Sequence, residues 1–326
     1  MSKKIVRYLS ILLAVSVLFS GISLQITTAF ADNVAEEETP TTETAPVVSA
    51  SSDLQDYVEY TKGHGITNKA TSKVQVPVTA FAADGADVTV DNTTLIWNSG
   101  EGSVTLTFDV PETALYNLQF VWEPKDSGVD IEMGVMLDGK YQFDGSDEII
   151  LSRLWKNVDT KPETPDTEEP RTDGQGNEYA QEQEEIDGPI TTIVRDYEGA
   201  IIDPFEFALT AGTHTITLTK PEQSITIESI TFIEPETVKS YKDVSASYDV
   251  KDLDADIITI QGENANVKSS NSMIPKSNNS DAGMTSHDGK ANDYFLTKIN
   301  YIGGTSWQTT GSTITWNFNV DKAGYY

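Results

Sequence analysis

Arg153 and Trp155 stand two residues apart on the rim of a strongly acidic insertion, a planar cation beside a large aromatic ring. An aromatic face can stack on the apolar face of a ring-shaped ligand while planar polar groups bond its hydroxyls, which is the chemistry of sugar recognition. Trp97, Tyr141, Phe143, Tyr179 and Tyr197 are further aromatics at loop or strand-end positions, and Asn177, Glu178 and Gln183 are further polar partners. Core packing is the competing assignment for any single aromatic. Phe120 and Trp122 fall in strand phase and go to the core, and Trp97, which recurs as Trp307, goes to a structural role. Trp155 with Arg153 is the leading ligand-facing pair.

Catalysis finds little material. The 326 residues include no cysteine and only three histidines, His64, His214 and His287. Thiol nucleophiles, disulfides, iron–sulfur clusters and cysteine-type zinc sites are therefore excluded. No G-x-S-x-G, H-E-x-x-H, P-loop or dinucleotide fingerprint occurs, and no pair of the many carboxylates is singled out by its neighbours as an acid/base couple. The expectation is a non-enzyme. With 22 Lys+Arg against 51 Asp+Glu, the formal charge is −29, which argues against nucleic acid and anionic lipid as partners.

The elements that must position these residues read as strands. Val104, Leu106, Phe108 and Val110 alternate with polar neighbours, as do Leu118, Phe120 and Trp122, then Ile131, Met133, Val135 and Leu137, then His214, Ile216 and Leu218. A period of two marks a sheet with one buried face. Asp138-Gly139 predicts a tight turn. The phase change between Ile225/Ile227 and Ile230/Phe232 predicts a bulge. No amphipathic helix of three turns follows residue 31, so the fold class expected is all-β, a sandwich.

Ahead of that body, residues 1–31 read as a secretion signal: Lys3, Lys4 and Arg7, an apolar run, then Ala29-Phe30-Ala31. An uncleaved membrane anchor is the alternative. Residues 32–55 read as an acidic flexible spacer, 56–237 as the sandwich and 238–255 as a linker. Within the sandwich, 159–188 is an acidic insertion. It either shapes a ligand or calcium site or is a solvated loop, with the turn-rich 171–178 as its ordered part.

Residues 97–116 (WNSGEGSVTLTFDVPETALY) match 307–326 (WQTTGSTITWNFNVDKAGYY) at a constant offset of 210. Trp, Phe, Val and Tyr recur in place, which favours duplication over chance likeness of two strands. The second copy reaches only its first strands by residue 326, so 256–326 reads as the truncated first part of a second similar sandwich. A further downstream domain is expected.

Gly102-Ser103-Val104-Thr105 with Phe108-Asp109-Val110-Pro111, followed by Leu115-Tyr116-Asn117-Leu118, resembles the galactose-binding-like jelly-roll sandwiches, including carbohydrate-binding module families six and thirty-five. The strand from Leu209 through Gly212 and His214 to Ile216, the closing Ile227-Glu228-Ser229-Ile230, and the opening at Ile258, Ile260 and Glu263 of the second copy are similar to the same modules. The segments around 137–143, 152–156, 171–178 and 204–207 resemble the N-terminal region of large extracellular solute-binding proteins of Gram-positive carbohydrate ABC transporters. The resemblance implies a non-catalytic, secreted or cell-surface protein that binds oligo- or polysaccharide. It also implies an ABC-transporter permease as a partner through the downstream domain, and Trp155, Arg153, Asn177, Glu178, Tyr141 and Tyr197 as ligand-binding residues. It further implies structural calcium, held by Glu59 and Glu228 in the first domain and by Glu263 in the second, although Glu228 stands where an Asp is usual. The signal lacks a lipoprotein cysteine, and no transporter-type binding domain is present. A surface adhesion or spacer module, and the accessory region of a secreted glycoside hydrolase, are the alternative functions.

Overall fold

A computed structural model of the chain describes residues 54–98, 101–126, 128–158, 171–219, 221, 223–246, 258–278, 280 and 295–320. The expected signal peptide, nearly all of the spacer, and residues 159–170 of the insertion lie outside the described residues. The alternating runs become the centre of two antiparallel sheets. In chain order the strands are β1 Val74–Val76, β2 Phe81–Asp84, β3 Val88–Asp91, β4 Thr94–Trp97, β5 Ser103–Val110, β6 Ala114–Pro124, β7 Ile131–Leu137, β8 Ile149–Leu151, β9 Trp155–Val158, β10 Glu182–Glu185, β11 Ile190–Ile193, β12 Glu206–Leu209, β13 Gly212–Thr219, β14 Ile225–Ile233, β15 Val267–Lys268 and β16 Ile314–Thr315.

One sheet runs β11-β6-β14-β4-β3, with β12 also on β6 and β1 also on β14; the other runs β2-β5-β13-β7-β8. Every second residue of β5 is buried, and Val104, Leu106, Phe108 and Val110 face the opposite sheet. Phe108 on β5 stacks on Phe232 of β14 with ring centroids 4.9 Å apart, which joins the two layers into one core. The result is an all-β sandwich of jelly-roll type. Where the phase of β14 changes, its register against β6 shifts between Ile227 and Ser229, so Ile225, Ile227, Ile230 and Phe232 are all buried. The bulge is the device that keeps both halves of the strand facing the core.

Asp138 and Gly139 adopt φ of 51° and 73°, the left-handed pair that closes a tight hairpin. Asp138 then does more than turn the chain. Its Oδ1 accepts from the Thr215 backbone N–H at 2.9 Å, and its Oδ2 accepts from His214 Nδ1 at 2.7 Å, which fastens the turn to β13. Burial pushes its carboxyl up, but the hydrogen bonds from Thr215 and His214 together outweigh that and leave it below the ordinary aspartate range. A folded value below the unfolded one means that this stabilisation is present above about pH 4. It is lost as the pH falls through the folded value. Asp138 is more than half exposed, so solvent screening keeps the contribution small. Asp138→Asn, tolerated at a positive φ, is expected to cost less than about 1 kcal/mol at pH 7. It should also flatten the acid limb of the urea-midpoint-against-pH curve.

Three elements depart from the sequence expectation. Residues Tyr57–Gly63 form a short helix, α1, rather than a strand: Asp56 caps it by accepting from the Val58 N–H at 2.7 Å. Its Tyr57 and Tyr60 hydroxyls accept the N–H groups of Glu206 and Ala208 at 2.8 and 2.7 Å, closing the open edge of β12. In the expected linker, Tyr241–Ala246 form a second short helix with no buried residue.

The third departure concerns the second copy. Its described residues do not form a sheet of their own. Instead β15 pairs with both β16 and β9, which completes a four-stranded sheet β10-β9-β15-β16 with the hairpin of the acidic insertion. The insertion hairpin has a free edge, and the second copy supplies a strand to cover it. Trp97 is fully buried, with Nε1 donating to Glu101 O, whereas its repeat counterpart Trp307 is 44% exposed and donates to Ser312 O. The bonding of the indole is kept and its burial is not. No helix among the described residues is long and apolar enough to cross a membrane.

Candidate functional site

Beyond β8 the chain turns at Ser152 and enters the insertion hairpin, and the first residues of that hairpin build one wall of a cleft of about 340 Å³. Arg153, Trp155 and Tyr197, three of the six expected ligand residues, line it together with Asp130 and Ser152. The facing wall comes from the second copy: Ser269, Ser270, Asn271 and Ser272, with Thr309 and Ser312. The pairing of Lys268 with Trp155 brings these walls together, because Ser269 directly follows the strand residue that pairs with β9. Gly311 lines the cleft, and Gly199 packs against the Thr310-Gly311 turn beside it. Both have positive φ, and a Cβ on Gly311 would fall on the Tyr197 carbonyl oxygen. Only glycine lets these two turns touch.

Trp155 is half-buried and Tyr197 exposed, and both line the cleft. Hydroxyls of Ser270 and Ser272 lie 2.9 Å apart on the opposite wall. Burial raises the Tyr197 phenol, and the Asp130 carboxylate adds to the shift, which puts these two groups within reach of one another's field. Burial likewise outweighs the bond from the Arg153 N–H and holds the Asp130 carboxyl above the ordinary range. The arrangement offers aromatic faces, hydroxyls and one carboxylate. The Ser152 side chain also bonds the Asp130 carboxyl, so that this acid has two partners within the wall.

Arg153 sits in the cleft differently from the expectation. Its side chain is 1% exposed: Nε donates to Val129 O at 2.7 Å, Nη1 to Glu185 Oε1 at 2.7 Å and Nη2 to Asp126 O at 2.6 Å. The guanidinium ties the β7-side loop to β10, and it supports the cleft from beneath. Glu178 is likewise buried and committed. Its Oε1 accepts from Lys298 at 2.8 Å and its Oε2 from the Ile299 N–H at 2.7 Å. Asn177 accepts from the Thr297 N–H and donates to Asp173, fixing the 173–178 turn to the second copy. Gln183 and Asn157 accept from the buried Lys268 ammonium, whose own ionisation burial pushes down to about 8.

The other expected residues lie apart from these. Tyr141 bonds Thr219 at 3.0 Å on the five-stranded sheet, Phe143 is wholly buried against α1, and Tyr179 is stacked under Arg171. Glu59 on α1 and Glu228 at the bulge of β14 are exposed, while Glu263 is buried in the second copy. Among the described residues no group of three or more histidine, aspartate or glutamate side chains gathers in a way that could hold a metal ion.

Sequence reasoning did not find the facing wall. Ser269-Ser270-Asn271-Ser272 reads only as a turn, and Asp130 is one acid among many. Its place just before a strand, next to a loop, was the available signal.

No protein-family model matches the chain, and no curated protein matches it. Among solved structures it is similar to the GH26-CBM35 β-(1,4)-mannanase of Podospora anserina, at 13% identity and a TM-score of 0.30, over 53% of this chain and 29% of that one. It is also similar to a family 35 carbohydrate-binding module from an environmental isolate, at 14% identity and a TM-score of 0.26, over 51% of this chain and 98% of that one. A third is a family GH115 4-O-methyl-α-glucuronidase, at 12% identity and a TM-score of 0.26, of which this chain spans 18%. The sandwich itself rests on the strand pairing described above.

Proposed function

We propose that the chain is a non-catalytic, exported carbohydrate-binding region, the front part of a sugar-capturing solute-binding protein that delivers to an ABC-transporter permease. The cleft carries the binding part of this reading. Trp155 and Tyr197 present ring faces on one side and the 269–272 and 309–312 segments present hydroxyls on the other, the pairing that sugars require. Export rests on residues 1–31 alone, and the transporter role on the sequence resemblance alone. Cell-surface residence and structural calcium, at Glu59 and Glu228 in the first domain and at Glu263 in the second, belong to the same proposal.

A glycan array followed by titration calorimetry, with and without calcium, tests it. Trp155→Ala is expected to weaken the measured affinity about tenfold to a hundredfold, the scale of one lost stacking platform. Its melting temperature should stay within a few degrees of the parent. Absence of binding to every glycan, under both conditions, would reject the reading in favour of a spacer.

A further inference from the structure

Resting on the carbohydrate reading, we propose that the cleft takes neutral sugars and rejects acidic ones, with Asp130 as the residue that discriminates. Among the described residues lining the cleft, Asp130 and Arg153 are the two whose side chains are charged at neutral pH. They are not equivalent to an incoming ligand. The Arg153 guanidinium is 1% exposed and held by three bonds, to Val129 O, Asp126 O and Glu185 Oε1. Its charge is answered by Glu185, and its burial closes it to a ligand carboxylate.

Asp130 is half-buried and lines the cleft together with Tyr197, near enough for its charge to raise the Tyr197 phenol. Its Oδ1 accepts the Arg153 backbone N–H at 2.9 Å and the Ser152 side chain bonds it as well; a carboxylate has about four lone-pair sites, so about two of them remain for a ligand. The carboxyl is held above its ordinary range first by burial. The hydrogen bonds from the Arg153 N–H and Ser152 and the charge of Arg153 oppose burial without overcoming it, and Glu185 adds to the rise. Hydroxyls of a neutral sugar can donate to this acceptor while the ring stacks on Trp155. A uronic acid instead brings a second anion into the same half-buried space, within a chain of formal charge −29. At short range in a partly desolvated site that repulsion is stronger than in water. The hydroxyls of Ser152, Ser270, Ser272 and Thr309 do not compensate it with charge.

The test uses the full chain and oligosaccharides matched in length and linkage: neutral manno-, xylo-, gluco- and galacto-oligosaccharides against oligomannuronate, oligoglucuronate and oligogalacturonate. Calorimetry at low salt is expected to show each acidic probe at least about tenfold weaker than its neutral counterpart. The gap should narrow as salt is raised. Asp130→Asn keeps an oxygen for the Arg153 N–H, and it is expected to close the gap to within about threefold while the melting temperature holds. An acidic probe binding as tightly as its neutral counterpart would overturn the proposal, as would a gap that Asp130→Asn leaves unchanged. Binding of neither class overturns the carbohydrate reading beneath it, a different result from acidic preference.

Discussion

Arg153→Met is expected to lower the free energy of unfolding by about 3 kcal/mol, near the bottom of the range for breaking a buried ion pair. The mutation strands three acceptors at once: Val129 O, Asp126 O and the Glu185 carboxylate. Glu185 is 22% exposed and can take up water after the loss, which keeps the effect from the top of that range. Arg153→Lys retains the charge but reaches one partner in place of three, because an ammonium on a flexible stem lacks the planar fork. It should fall between methionine and the parent. Adding Glu185→Gln to Arg153→Met removes the stranded carboxylate and should recover part of the loss. Urea midpoints of the four proteins check the series. A methionine variant as stable as the parent, but without glycan affinity, would return Arg153 to the ligand-facing role that its neighbourhood in the sequence suggested.

That contrast between neighbourhood and burial marks the limit of what the sequence carries. β5, β6, β7 and β13 were legible because alternation is a local code and each of these strands has one buried face. The bulge in β14 was legible for the same reason: the apolar phase changes and the backbone must follow it. β9 and β10 were not, since WKNV and EQEE carry no alternation. Those strands are set by pairing with each other and with β15, a contact more than a hundred residues distant in sequence. α1 escaped because seven residues give too little periodicity, although Asp56 stood ready as its cap.

The site divides along the same line. Trp155 and Tyr197 could be named because an aromatic outside strand phase stands out in a sequence. The serine wall could not, since it becomes a wall only where the second copy meets the insertion hairpin. Charged residues are the class whose partners the sequence hides best. Arg153 and Glu178 look like ligand contacts when read alone, yet each has its partners inside the protein. A buried charge is kept by such partners, and these lie far away in sequence.

Phe143→Ala is expected to cost about 3–5 kcal/mol, the usual range for deleting a fully buried phenylalanine. In the sequence Phe143 stood among the aromatic candidates for a binding face. In the structure its ring meets Tyr57, Tyr60, Phe205 and Phe207 with centroids between 4.8 and 5.4 Å. It is the common neighbour of the two tyrosines by which α1 closes the β12 edge, so the cavity opens beneath the helix and its docking should loosen. The Tyr60 phenol reports this independently of global stability. Burial pushes it up to about 12, against a bond from the Ala208 N–H that lowers it. A folded value above the unfolded one means the stabilisation is complete below pH 10 and is lost as the pH rises toward 12. In the parent, spectrophotometric titration should show a late-ionising group of tyrosines, Tyr57, Tyr60, Tyr116 and Tyr197, with Tyr60 up at about 12, together with alkaline loss of stability in that window. In Phe143→Ala the Tyr60 step should move toward the ordinary phenol value and near-ultraviolet dichroism should fall, while glycan affinity, read from a cleft that Phe143 does not line, stays within about twofold. Loss of affinity with an unmoved Tyr60 titration would place Phe143 at a ligand instead of in the core.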